Sequence, residues 1–109
     1  MVCGMSEAPS VEQFLSQAME RERDYDWLGA IEFYEKALGL VSETDFLKKG
    51  EIQERVGYAF YRAAMQAESV DQFRDRMRQA ITNYETAREF YGRMSEPRKT
   101  AWILRCDAM

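Results

Sequence analysis

The 109-residue sequence contains no histidine. That removes the usual general base of nucleophilic triads and the commonest zinc and non-haem iron ligand. Proline occurs twice and glycine six times, so little interrupts long helices, where each residue of either type costs about 3 or 1 kcal/mol. Gly29, Gly39, Gly50 and Gly57 are isolated, and no phosphate-cradling glycine loop occurs. The two cysteines, Cys3 and Cys106, stand near opposite ends. They make neither a disulfide framework nor a zinc pattern, and a reducing, cytoplasmic compartment is the simplest expectation. No stretch is apolar over the roughly 18 residues a membrane helix needs, and the N-terminus lacks the basic start and apolar run of a secretory signal.

Against these absences, 46% of residues are apolar and 31% charged, the balance of a folded globular chain rather than a disordered one. The length suits one domain. The net charge of −4 is uneven. Residues 1–54 hold 12 acids and 5 bases, net −7, and residues 55–109 hold 7 acids and 10 bases, net +3. The acidic half repels nucleic acid. The asymmetry suits charge pairing between helices or head-to-tail contact between chains.

Residues 1–9 read as a flexible tail. Ser10-Val11-Glu12-Gln13 is a capping box, and Val11, Phe14, Leu15, Ala18 and Met19 follow at helical spacing. Asp26 suits the N-cap of a second helix with Trp27, Ala30, Ile31, Tyr34, Ala37, Leu38 and Val41 on its apolar face. A third helix is expected from about Phe46 to Glu68, with Ile52, Val56, Ala59, Phe60, Ala63 and Ala67 in one stripe. Gly50 and Gly57 weaken its propensity, so packing must hold it. Ser69-Val70-Asp71-Gln72 is a second capping box, opening a fourth helix with Phe73, Met77, Ala80, Ile81, Tyr84, Ala87, Tyr91 and Met94 on its face. Ser95-Glu96-Pro97 ends that pattern and starts a fifth helix containing Ala101, Trp102, Ile103 and Leu104. The chain stops at Met109 inside this pattern, so the expectation is an N-terminal piece of a longer protein.

The second and fourth helices repeat one another at an offset of 50 residues. Ala30-Ile31-Glu32-Phe33-Tyr34-Glu35-Lys36-Ala37 lies over Ala80-Ile81-Thr82-Asn83-Tyr84-Glu85-Thr86-Ala87, identical at five of eight positions. Alanines admit a close neighbouring helix, and the aromatic between them fills the groove left. This order resembles the tetratricopeptide (TPR) family, whose second helix carries Ala, an aromatic four residues on, and Ala three after that. Trp27 sits where the family often has an aromatic, and Ala18 and Gly57 take the small position of the first helix. The spacing departs from the family period of about 34 residues. Eleven extra residues between Gly57 and Ala80 are close to three whole turns and keep the packing face in phase.

The resemblance implies an all-α fold of antiparallel hairpins stacked as a short right-handed solenoid of about five helices. Residues 10–109 then form one domain: a first hairpin over 10–42, a longer second hairpin over 45–94, and a third unit or capping helix over 96–109. A three-helix trafficking module, the MIT domain, is similar over residues 14–41 but does not account for the second match.

In the TPR arrangement, first helices line a concave face. Family contact positions fall on Glu12, Leu15, Met19, Glu22 and Arg23, and on Glu51, Glu54, Tyr58, Tyr61 and Arg62. Tyr58, Tyr61 and Met65 lie opposite the main stripe of the third helix. They are either packed between the first and fifth helices or line an open groove, and tyrosine and arginine are enriched at binding hot spots. The expected partner surface is Leu15, Met19, Arg23, Glu54, Tyr58, Tyr61, Arg62 and Met65, with Trp102 and Ile103 as stacking or oligomer contacts. The lysine and asparagine clamp that some family members use on chaperone C-termini is replaced by Leu15, Met19, Glu54 and Tyr58, which disfavours that ligand.

Catalysis is not expected. Acid pairs such as Glu20/Asp24 and Glu85/Glu89 have the helical spacing of solvated faces, and Cys106 sits in an apolar run as core or interface residues do. The fourth helix is rich in arginine, but acids alternate with it, so intrahelical pairing is expected and RNA binding is disfavoured. No cofactor or metal is called for. The functional expectation is an adaptor that recognises a protein, peptide or helix; the rival is an oligomerisation or stacking element of a larger repeat protein.

Overall fold

The structure, a computed structural model, describes residues 8–94. Four helices follow in order: α1 (Val11–Arg23), α2 (Trp27–Leu38), α3 (Phe46–Met65) and α4 (Val70–Tyr91). The described residues contain no strand, and no helix among them is long and apolar enough to cross a membrane. The fifth helix expected from residue 96, with Trp102 and Ile103, lies outside the described residues, as do Cys3, Cys106 and most of the expected N-terminal tail.

Each helix starts where a short polar side chain meets an orphan N–H. The Ser10 box closes fully, the Gln13 N–H donating to Ser10 Oγ at 3.2 Å and the Ser10 N–H to Gln13 Oε1 at 2.8 Å. Asp26 and Asp45 accept from the backbone N–H of Gly29 and Lys48. Ser69 accepts from the Gln72 N–H, but Gln72 Oε1 reaches past it to the N–H of Glu68 at 2.8 Å. The second box therefore closes one residue further out than expected. The third helix ends at Met65, three residues early, with Gln66 as its C-cap.

Consecutive helices pack on one another. The α3–α4 contact is widest, followed by α1–α2 and α2–α3, while α1 and α3 scarcely meet directly. One core joins α1, α2 and α3 through Ala18, Trp27, Ala30, Ile31, Tyr34, Ala37, Ile52, Val56, Ala59 and Ala63. A second, smaller cluster at the far end of the α3–α4 hairpin buries Ala87 and Tyr91 against Leu47 and Met94.

The α3–α4 contact depends on two glycines. A Cβ on Gly50 would fall inside the van der Waals envelope of the Tyr91 ring, and one on Gly57 would lie 3.2 Å from the Tyr84 ring. The pairs 50/91 and 57/84 share one antiparallel register, seven residues apart on each helix. Seven residues are close to two turns, so both glycines lie on one side of α3 and both tyrosines on one side of α4. The residues that weaken α3 as an isolated helix are the ones that let α4 approach it.

Two expectations for α4 are corrected. Ile81, on the stripe expected to pack, is 56% exposed, and Phe73 is also exposed. The face α4 turns to α3 is centred on Ala80, Ala87 and Tyr91; Ile81 lies about 100° round the helix from Ala80, beyond that contact. Asp71 and Asp75 form no ion pair with Arg74 or Arg78 among the described residues, contrary to the pairing expected there. Arg76 donates to the Ala63 carbonyl at 2.8 Å, tying α4 to α3.

Candidate functional site

Because α1 and α3 each pack on α2 but hardly on each other, a cleft opens between them. It encloses about 670 Å³ and is lined by Glu12, Leu15 and Met19 of α1, Tyr34 of α2, Lys48, Glu51, Ile52, Glu54, Arg55 and Tyr58 of α3, and Tyr84 of α4. This volume lies within the range of ligand and side-chain pockets. Residues 48, 51, 52 and 55 recur at three- and four-residue steps, so one face of α3 forms a wall. Leu15 and Met19, four apart on α1, form the facing wall.

The floor and rim are polar in an ordered way. Tyr34 is fully buried, and its hydroxyl donates to Glu22 Oε2 at 2.7 Å. Burial first, then the bond to Glu22 and its charge, raise the Tyr34 phenol far above its ordinary value, so it stays a neutral donor. Glu22 also faces Arg55 Nη1 at 3.8 Å, and Lys48 Nζ meets Glu12 Oε2 at 3.5 Å. Two ion pairs thus span from α1 to α3 across the cleft. Tyr91 donates to Glu54 Oε1 at 2.8 Å from the α4 side. Glu51 forms no ion pair among the described residues, which leaves the lining with surplus negative charge.

An aromatic cluster lies beside the cleft. Tyr58 packs edge-on against the buried Trp27 with ring centroids 5.8 Å apart. The Arg62 guanidinium sits 4.8 Å over the Trp27 ring and donates to Tyr58 Oη at 2.9 Å. Tyr61 adjoins Tyr58 at 6.2 Å. The arrangement fixes the Tyr58 ring, while Tyr61 and Met65 remain exposed.

Of the residues expected at a partner surface, Leu15, Met19, Glu54 and Tyr58 come together in the cleft. Tyr61, Arg62 and Met65 continue from Tyr58 along α3, with Arg62 engaged as a packing residue on Trp27. Arg23 is exposed at the last turn of α1 and does not line the cleft. Lys48, Ile52, Arg55, Tyr34 and Tyr84 line it without having been expected. The Lys48/Ile52/Arg55 spacing could have found the first three; the two tyrosines had been read only as core. Among the described residues, no group of three or more cysteine and acidic side chains is placed to hold a metal ion.

Comparison of the chain with family models, with curated proteins and with solved structures gives no match.

Proposed function

We propose that the chain is a TPR-like interaction module, its hairpins stacked as the start of a right-handed solenoid, that holds a peptide or helix of another protein in the α1/α3 cleft. It acts as a non-catalytic adaptor. The observation that carries this reading is the cleft itself: Leu15, Met19 and Tyr58 present apolar surface over the buried Ile52, with Met19 37% exposed. A ring already fixed by Trp27 and Arg62 loses little freedom on binding, which favours affinity. The exposed Tyr61 and Met65 extend the contact beyond the cleft.

The test is selection of displayed peptides on the purified chain, with affinities of the selected peptides measured by fluorescence anisotropy. Met19→Glu places a charge on the α1 wall at an exposed position. It is expected to weaken binding tenfold or more, about 1.4 kcal/mol, while circular dichroism stays unchanged. Failure to select any peptide, or binding indifferent to Met19→Glu, would overturn the proposal.

A further inference from the structure

The cleft and the end of α4 meet. Tyr91, the last residue of α4, donates to Glu54 of the cleft lining. Leu47 and Met94 both pack on the Ala87/Tyr91 cluster, and Leu47 precedes Lys48, which also lines the cleft. The chain therefore leaves α4 beside one end of the cleft. Fifteen residues follow Met94. Within them, Arg98-Lys99-Thr100-Ala101-Trp102-Ile103-Leu104-Arg105 holds three bases, four apolar residues and no acid, bracketed by Glu96 and Asp107. The cleft has the opposite character. Glu12, Glu22, Glu51 and Glu54 stand in or beside it against Lys48 and Arg55, and both cations already face carboxylates of α1. Reach is no obstacle. From Lys48 to Tyr58 the cleft runs about 15 Å along α3. The eight steps from Met94 to Trp102 span about 12 Å as helix and about 27 Å extended.

We propose that residues 98–105 occupy the α1/α3 cleft of their own chain, with Trp102 against Leu15, Met19 and Tyr58 and the bases toward Glu51. The inference rests on reading the cleft as a site for a peptide or helix, and it adds the regulation of that site: the chain carries its own competitor. An apolar segment in an apolar groove is a common mode of recognition. A segment tethered this closely has an effective concentration on the order of millimolar, so even a weak contact keeps the cleft filled much of the time. An outside ligand then binds with an affinity reduced by the closed fraction.

The test uses the full chain and peptides selected on its cleft. Trp102→Glu/Leu104→Glu removes the apolar part of the internal occupant and leaves every cleft residue in place. This variant is expected to bind the selected peptides about tenfold tighter than the wild type in fluorescence anisotropy, with unchanged circular dichroism. Arg98→Glu/Arg105→Glu should shift affinity the same way by a smaller factor, and keeps the test open if the first variant unfolds. A labelled peptide of residues 95–109, added in trans, should bind Trp102→Glu/Leu104→Glu more tightly than it binds the wild type. Adding Glu51→Lys to that variant should abolish the binding, because the new cation opposes the three bases. Equal affinity of wild type and both variants for the selected peptides, or binding of the 95–109 peptide that ignores Glu51→Lys, would sink the proposal. If the selected peptides are weakened by Met19→Glu while both tail variants match the wild type, the cleft reading stands and the self-occupancy falls.

Discussion

Hairpin α1/α2 encloses its repeat residues, whereas hairpin α3/α4 leaves part of its set open. Ile31 is 6% exposed and Ile81, its counterpart 50 residues on, 56%. Tyr34 is fully buried, while Tyr84 is half-buried over Gly57. The alanines behave alike: Ala30, Ala37, Ala80 and Ala87 are all buried. Alanines therefore mark the side where a hairpin closes on itself, which both hairpins share. The isoleucine marks the side where the next helix packs. α3 covers that side of α2, and no described helix covers it on α4.

The largest effects should follow this difference. Tyr34→Ala removes a fully buried ring and its bond to Glu22, and is expected to cost about 3–5 kcal/mol. Tyr84→Ala should cost about half as much, because the ring is only partly enclosed. Ile31→Ala should cost about 2–4 kcal/mol, and Ile81→Ala under about 0.5. Urea unfolding of the four variants, followed by circular dichroism, measures both ratios. Equal losses at 31 and 81 would show that the two hairpins are covered alike after all.

Much of this was legible from residues in order. The helix starts at Ser10, Asp26 and Ser69 were readable because capping is local chemistry, set within four residues. The α2 face was readable because Trp27, Ala30, Ile31, Tyr34 and Ala37 all point to one core. The exposure of Ile81 is not legible in the same way, because periodicity reports that a stripe is apolar, not how many neighbours cover it. The cleft was half legible. Leu15, Met19, Glu54 and Tyr58 follow from the contact positions that the TPR resemblance implies, but Tyr34 and Tyr84 reach the cleft through helix packing that no single helix encodes.

Gly50 and Gly57 sharpen the comparison within the second hairpin. Both sit inside α3, where alanine gains about 1 kcal/mol of helix propensity. At Gly50 the new methyl meets the ring of Tyr91, which is fully buried and held by Glu54. Overpacking there should outweigh the propensity gain and leave Gly50→Ala destabilised by about 1–2 kcal/mol. At Gly57 the methyl meets Tyr84 at 3.2 Å, and that half-exposed ring can shift. Gly57→Ala should come out near neutral. Thermal unfolding of both variants decides; a stabilised Gly50→Ala would mean that the α3–α4 approach is looser than the Tyr91 seam requires.

The smallest effect expected concerns the two hairpin turns. The α3–α4 turn is held by ordinary caps, but the α1–α2 turn places Tyr25 at φ 60°, in the left-handed region. The Asp26 N–H donates to the Arg21 carbonyl and the Tyr25 N–H to the Glu22 carbonyl, both at 2.9 Å. That is the helix-ending pattern in which glycine usually takes the left-handed position. Tyrosine pays about 1–2 kcal/mol in backbone strain there, and the residue is 66% exposed, so packing offsets little of it. Glycine would release the strain but lose more freedom on folding, so Tyr25→Gly should stabilise the chain by about 0.5–1 kcal/mol in urea unfolding. Tyr25→Ala keeps the strain and should change stability by less than about 0.5 kcal/mol. Gln66 Nε2 donates to the Tyr25 carbonyl at 3.0 Å, joining the two turns; this bond uses only backbone at residue 25 and survives either change. If Tyr25→Gly instead destabilises, the ring contributes contacts that outweigh its strain, and the two turns are held by more than the Gln66 bond.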